Sequence, residues 1–594
     1  MRRLSSFLSG SNTLERLSLL SVLLLWLYLF SPFRILCLPI LFGQPEEWTL
    51  SFILLSLSGV LLIASFYRKK REIIRITVSN ILVLLYLIYI LFRLNEYLTE
   101  PLYILSLLTL LFLYWTICSL HRFFVRFMLP VLAFSILFQV FHFFYKQGFS
   151  FNNVSSVVGV FNNTGLWGGF ISIVCVGLIG LLFFSKRNKI ILTVMALFII
   201  GLLISSQSRA AWVGTFGGIC FLTIFFFWKR YGSRIFLPFV VILLISLPVL
   251  IFVGNKMYLM KSVSADGRVY IWKISSQMIK ENPFWGMGID KFKSKYMFYQ
   301  ADFFSKNPDS PFAQMAGEIN VPFCDPLKIA IEQGIIGLAL FLSVLLSAFF
   351  HQRGKITNPN AYAVFTAILI TMLLFSCFSY PFLYIQFSFL FIACITILSR
   401  LQTGCSFSIS IGKRLLIGLI PCLAFICYFC FAGIKNTASL KRMQNELHYF
   451  NSDNTTNTMK VLASLEAVLQ TNPYFLVSYA NIFSKNNENN RSIALYKKSL
   501  MHHVSYSVYL ELGRVYEQSG ETDSALKCWE IANRMIPSRF EPLYLQIGSY
   551  HNSDNYSRAD SLTAIFLQKE RKWETLRIDR MLRDVRQWER ERKQ

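Results

Sequence analysis

The sequence predicts an all-α protein: a polytopic membrane helix bundle of about 13 spans followed by a soluble α-solenoid. Three observations predict it. Of 594 residues, 54% are hydrophobic and 16% aromatic. That is more apolar surface than a water-soluble domain can hide, so lipid must serve as part of the solvent. Apolar runs of about 17–25 residues recur through the first 434 positions. From Lys435 these runs stop, and helix-period patterns of small and aromatic residues replace them. The predicted domains are residues 1–434, with a large loop over 255–326, and residues 435–594.

The predicted spans are 17–31, 49–67, 75–93, 101–120, 127–145, 165–185, 189–206, 210–228, 235–254, 327–350, 360–379, 381–399 and 415–433. The apolar run after MRRLSSFLSG has no clear small-residue cleavage site, so it reads as a retained first helix. The formal charge of +26 is uneven: +21 before Lys435 and +5 after it. Arg68 to Arg71, His121-Arg122, Lys186-Arg187, Lys229-Arg230, Arg353/Lys355 and Lys413-Arg414 fall on one side of the alternating spans. Asn95-Glu96, Gly148 to Thr164 and Ser379-Tyr380 fall on the other. Lys and Arg favour cytoplasmic loops, which puts the first set inside and the C-terminal domain outside. A basic excess of this kind marks membrane topology, not nucleic-acid binding. Cys427 and Cys430 form a CxxC inside an apolar run, where it reads as structural.

Between Lys189 and Lys229 lies a single charge, Arg209, in Ser206-Gln207-Ser208-Arg209. The topology sets it on the outer side. An ionisable group at membrane depth is a functional candidate by default, although arginines at helix ends also snorkel. The outer loop 255–326 contains GRVYIWKISSQMIKENPFWGMGIDKF, from Gly267 to Phe292. Ile271, Ile274, Met278 and Ile279 recur at helical spacing, which predicts an amphipathic helix lying on the membrane surface. Arg268 falls in its first turn, against the helix dipole. Asn282-Pro283 stops the helix, and Gly286 and Gly288 make a turn.

In the tail, Leu512, Gly513, Tyr516, Ala525, Trp529, Ala532 and Pro537 stand at tetratricopeptide spacing. Ser492, Tyr496 and Ser499 echo them one repeat earlier. Small residues let paired helices approach, and aromatics fill between them. The α-solenoid is therefore tetratricopeptide-like, an architecture that binds partners or braces a complex. Arg571 to Gln594 reads as a solvated capping helix.

The chain holds no Walker P-loop, dinucleotide GxGxxG, HExxH or GxSxG. What it offers is two outward arginines. Arginine is permanently charged, and its planar fork matches phosphate oxygens. Lipid-linked sugar diphosphates at the outer face suit both.

Three stretches carry a resemblance to a family. Gly159-Val160-Phe161-Asn162-Asn163 resembles a Gly-x-Phe-x-Asn segment. Ser206 to Arg209 resembles Ser-x-Ser-Arg. Arg268 with Asn282-Pro283-Phe284-Trp285-Gly286-Met287-Gly288 resembles an Arg-helix-Asn-Pro-x-x-Gly-x-Gly element, and Pro326 to Gly337 looks like the helix that closes the outer loop. Over about residues 150–400 the chain thus resembles the O-antigen ligase and O-antigen polymerase superfamily, which includes bacterial protein O-oligosaccharyltransferases. Relatives with a tetratricopeptide tail also occur there. Many ligases carry His-Asn just before the closing helix, with the histidine as base; here that place reads Phe323-Cys324.

The resemblance implies transfer of a glycan from an undecaprenyl diphosphate carrier to an acceptor hydroxyl, outside the inner membrane and without metal or cofactor. The acceptor is lipid A core, a growing glycan or a protein. Arg209 and Arg268 would hold the leaving diphosphate. Asp325 is the first candidate for the base, or else caps the helix before Pro326. Asp290 and Glu332 follow, as substrate-binding or proton-accepting groups, and Glu332 can instead pair with an arginine. His142 is a further candidate or an interfacial core histidine. Asn162 and Asn163 either bond sugar or phosphate, or form a turn. Trp167, Trp212 and Trp285 are interface anchors or sugar platforms. Membrane lipids and a protein partner of the tail complete the expected partners. Polymerase, protein glycosyltransferase, lipid-linked glycan transporter and membrane scaffold stay open as alternatives.

Overall fold

The computed structural model describes residues 13–30, 44–68, 72–94, 101–146, 157–161, 163–185, 188–235, 262–349, 356–402, 406–411, 419–448, 455–572 and 574–593, with scattered positions between 252 and 259. Asn162 and most of the expected span 235–254 lie outside the described residues. The chain forms two compact units. The first holds Met1–Leu259, Phe323–Ile329 and Ile335–Thr437; the second holds Met260–Pro322, Ala330–Gly334 and Ala438–Gln594. Most of the loop expected over 255–326 thus groups with the tail.

Nearly every described element is a helix. In chain order these are α1 (Thr13–Phe30), α2 (Gln44–Arg68), α3 (Val78–Leu94), α4 (Pro101–Lys146), α5 (Thr164–Phe184), α6 (Lys189–Ser205), α7 (Arg209–Tyr231), α8 (Ser262–Glu281), α9 (Lys291–Lys306), α10 (Asp325–Phe349), α11 (Pro359–Ser376), α12 (Ile385–Leu401) and α13 (Leu419–His448). The tail adds α14 (Thr455–Leu469), α15 (Pro473–Lys485), α16 (Asn489–His502), α17 (Tyr506–Gln518), α18 (Thr522–Met535), α19 (Glu541–Asn552), α20 (Tyr556–Gln568) and α21 (Leu576–Lys593).

Among the described residues, α5, α7, α10, α11 and the Ser106–Tyr145 part of α4 are long and apolar enough to cross a membrane. Residues Leu50–Leu62, α3, α6 and α12 are also apolar but shorter. The expected spans 101–120 and 127–145 run together as α4, broken only at Leu120 (φ −106°, ψ 18°). The helix resumes at once after the break, so His121 and Arg122 sit in helix and not in a loop. One element departs from the all-helical expectation. Glu72–Thr77 (β1) pairs antiparallel with Ser406–Ile411 (β2), Glu72 opposite Ile411 and Thr77 opposite Ser406. Period-two alternation in SFSISI favours a strand, and the helix expected from residue 75 starts only at Val78.

Small residues bring the bundle's helices close, as packing without a hydrophobic drive between helices requires. A Cβ on Gly218 would lie 2.2 Å from Thr371 Oγ1, and one on Gly214 2.7 Å from the Thr371 carbonyl, so α7 and α11 meet almost backbone to backbone. Elsewhere in this unit the rings of Trp26, Phe30, Phe170 and Phe389 interlock, with centroids 5.5 Å apart for Phe30–Phe170 and 5.6 Å for Trp26–Phe389.

In the second unit α8 and α9 pack on each other. Tyr270, Ile271, Ile274 and Met278 are all buried. The amphipathic face expected to lie on a membrane is therefore buried within the protein instead. Helix α8 begins at Ser262, so Arg268 stands in its second turn, not its first. The helix ends at Glu281, before Asn282-Pro283, as expected. The tail helices stack on their chain neighbours. Trp529 donates to the Leu510 carbonyl (3.2 Å), and a Cβ on Gly513 would lie 2.3 Å from its Nε1. Ser492 donates to the Ala480 carbonyl at 2.9 Å, and Ala525 and Ala532 are fully buried. Helix α21 is less solvated than its charges suggested: Met581, Leu582 and Val585 are buried on Phe540, Leu543, Ile547 and Phe566.

Candidate functional site

In the first unit two helix N-termini are tied together. Residues Ser206 to Ser208 make the turn between α6 and α7, with Gln207 in the left-handed region (φ 49°). Arg209 is the first residue of α7, half-buried, with Nη1 3.5 Å from the Tyr258 carbonyl. Ser208 occupies the cap position but makes no side-chain bond to its own helix. Its hydroxyl donates instead to the Gly165 carbonyl in the first turn of α5, at 3.1 Å. The Ser208 side chain therefore does not cap the helix that begins with this guanidinium. A helix N-terminus carries partial positive charge and unsatisfied donors, which suits an anion.

Asn163 caps α5, its carbonyl oxygen accepting from the Leu166 N–H at 3.1 Å. Its amide donates to Tyr380 Oη at 3.4 Å. Upstream, Gln139 fixes the Gly159-Val160-Phe161 segment: its Oε1 accepts from the Val160 N–H at 3.1 Å and its Nε2 donates to the Phe30 carbonyl at 2.8 Å. Phe323 occupies the position where the resembling ligases carry histidine. It adopts φ 53° and sets its ring edge-on to Tyr380, 5.2 Å between centroids. Burial, with Cys377 and Asp325 nearby, pushes the Cys324 thiol up to about 11, so it is no nucleophile at neutral pH. Asp325 is 5% exposed, and its Oδ2 accepts from the Phe382 N–H at 3.1 Å. The structure thus gathers Asn163, Phe323, Asp325 and Tyr380. Tyr380, which touches both Asn163 and Phe323, went unremarked in the sequence beyond its place in a short outer loop.

In the second unit Arg268 is half-buried on α8, and Trp272 of that helix donates to the Pro322 carbonyl at 2.9 Å. The Asn-Pro-Phe-Trp-Gly-Met-Gly turn is bonded to the interior of α10. Met287 N–H donates to the Ile331 carbonyl (2.8 Å) and Gly288 N–H to that of Glu332 (2.9 Å). These bonds exist because α10 breaks at Gly334 (φ 68°, ψ −172°), which frees backbone groups for the turn. Gly286 (φ 71°) meets the break: a Cβ there would lie 2.4 Å from Gly334 N, and one on Gly334 2.1 Å from the Phe284 carbonyl. Both positions demand glycine. Glu332 is 4% exposed inside this contact. Asp290 precedes α9 in the left-handed region (φ 60°) and makes no side-chain cap. Arg209 and Arg268 belong to different units.

A family described as O-antigen ligase matches residues 193–342, a stretch that includes Arg209, Arg268, Asp290, Asp325 and Glu332. A Rickettsia conorii protein named "Putative polysaccharide ligase" is 29% identical over 211 residues, covering 33% of this chain and 47% of that protein. One of the same name from Rickettsia bellii is 29% identical over 219 residues, covering 34% and 49%. The chain spans about half the length of the curated relatives it matches. Together these matches support the O-antigen ligase family for the region that carries both arginines.

Proposed function

We propose that this protein transfers a glycan from an undecaprenyl diphosphate carrier to an acceptor hydroxyl, at the outer face of a bacterial inner membrane. The observation that carries the reading is the start of α7: an arginine on a helix N-terminus whose cap serine bonds the neighbouring helix instead. When the acceptor oxygen attacks the anomeric carbon and gives up its proton to solvent, the bond from that carbon to the diphosphate breaks and negative charge grows on the departing diphosphate. Arg209, at the start of α7, would stabilise that charge more in the transition state than in the ground state, and Arg268 is the second arginine the sequence offers for a diphosphate. Asn163 and Tyr380 would bond glycan hydroxyls, and Asp290 and Glu332 are the remaining polar groups for substrate. Asp325 serves by holding the Pro381–Leu383 turn against Phe323 to Asp325. The tail is read as a tetratricopeptide-like array facing the periplasm.

The test replaces Arg209 or Arg268 with Ala or Lys, checks membrane insertion, and measures glycan transfer. Each alanine variant is expected to lose about 10²–10³-fold in turnover, with poor rescue by lysine, whose point charge lacks the fork. Wild-type transfer in both alanine variants would end the reading. Phe323 in place of the ligase-type histidine favours a polymerase as the second reading. A deletion strain that keeps single glycan units but loses long chains would select it; full chains stranded on the carrier select the ligase.

A further inference from the structure

The second unit ties the outer loop to the tail along most of the tail's length. Gln300 of α9 is fully buried, and its amide donates to the Met535 carbonyl (2.6 Å) and the Gly317 carbonyl (3.1 Å). Met535 ends α18, so its carbonyl is one that the helix itself leaves unbonded. His503, just after α16, lies with Nδ1 3.3 Å from the Lys293 carbonyl and Nε2 3.8 Å from Glu318 Oε1. Phe298 sets its ring edge against Tyr509 at 6.3 Å, and Gln314 donates to the Glu570 carbonyl at 3.4 Å.

From α9 the contacts continue to the arginine helix. Phe303 and Phe304, one turn beyond Gln300, hold Tyr270 at 5.7 and 5.8 Å between centroids, and Phe312 stacks on it at 5.2 Å. Tyr270 is two residues from Arg268. A second route runs through Gly317 and Glu318 to Pro322, whose carbonyl accepts from Trp272.

We propose that the C-terminal helical array is an internal brace that positions Arg268, and that Gln300 is the positioning residue through which it acts. The proposal rests on the diphosphate reading of Arg268. A long arginine on an outer loop gains little as a transition-state clamp unless its helix is held still, since misplacement by about 1 Å costs about 10²-fold. Here the buried amide of Gln300 bonds α9 both to the loop at Gly317 and to the tail at Met535.

The experiment uses the full-length protein in lipid nanodiscs. Gln300→Met keeps the volume and removes both donors; Phe298→Ala is a milder variant at a half-exposed contact; Asp302→Ala, in an exposed pair with Lys306, is the control. Amide hydrogen exchange is read over 262–281 and 291–306. Transfer is read with undecaprenyl diphosphate-linked glycan extracted from cells lacking this protein. Gln300→Met is expected to speed exchange about tenfold in both helices, because a buried carbonyl loses its donor and the docked helices open more often. Turnover should fall about tenfold while the donor KM changes less than about twofold, the pattern of a lost transition-state contact. Phe298→Ala should move the same quantities less, and Asp302→Ala not at all. Wild-type exchange over 262–281 in Gln300→Met would overturn the brace. So would faster exchange with unchanged turnover while Arg268→Ala is inactive. If Arg268→Ala keeps full transfer but Gln300→Met still loosens 262–281, the coupling stands and the diphosphate reading falls.

Discussion

At Asp325 a single carboxylate is claimed by two jobs, and two substitutions separate them. Asn keeps an oxygen for the Phe382 N–H but cannot accept a proton; Ala removes both. With the carboxylate 5% exposed and engaged at 3.1 Å, Asp325→Asn is expected to retain transfer. Asp325→Ala should lose about 1–3 kcal/mol of stability, read as a lower thermal midpoint in detergent. An inactive Asn variant with a wild-type midpoint would make Asp325 the base. His503 offers a pH-dependent prediction. Burial holds its pKa below the ordinary value, Lys293 adds to this, and Glu318 works against it. The folded state therefore prefers neutral imidazole, and the unfolded chain binds more protons. Stability is complete above about pH 6.5 and is lost as pH falls below it. Exchange over 291–306, corrected for intrinsic rates, should quicken as pH falls below about 6.5; in His503→Gln that acceleration should vanish.

The break in α10 fixes the glycine turn that follows α8. Gly334 at φ 68° sits 2.1 Å, by its missing Cβ, from the Phe284 carbonyl. Gly334→Ala therefore faces both backbone strain of about 1–3 kcal/mol and a clash with backbone that cannot swing aside. The expected result is a depressed thermal midpoint with loss of transfer, whereas Gly201→Ala, with open space around it, should leave both unchanged. The sequence made some of this legible. Gly286 and Gly288 announced a turn, and Asn282-Pro283 announced the end of α8, because glycine and proline act through local backbone sterics. The partner of that turn was not legible: a break at Gly334 inside an apolar run looks like any other helical glycine. Likewise β1 and β2 were hidden, since six-residue strands flanking apolar runs carry too few residues to outvote the helix period.

For the molecule as a whole, charge alternation predicts which ends face which compartment. A phosphatase fused after Gln594 should be active outside, and one fused at Lys355 inactive; the reverse pattern would invert the topology. The tail's helices were legible because Gly513, Trp529 and Ala532 satisfy pairwise packing between chain neighbours. Its grip on the loop was not, because contacts such as Gln300 to Met535 leave no periodic trace in either segment. That grip has a consequence in time. Gln300 and the carbonyl it bonds are 235 residues apart. At about 5–20 residues per second, the loop leaves the ribosome on the order of ten to fifty seconds before its binding surface exists. Throughout that interval the apolar faces of α8 and α9 wait unfinished, and a nascent chain stopped short of Met535 should be the preferred client of whatever chaperones and proteases patrol that side of the membrane.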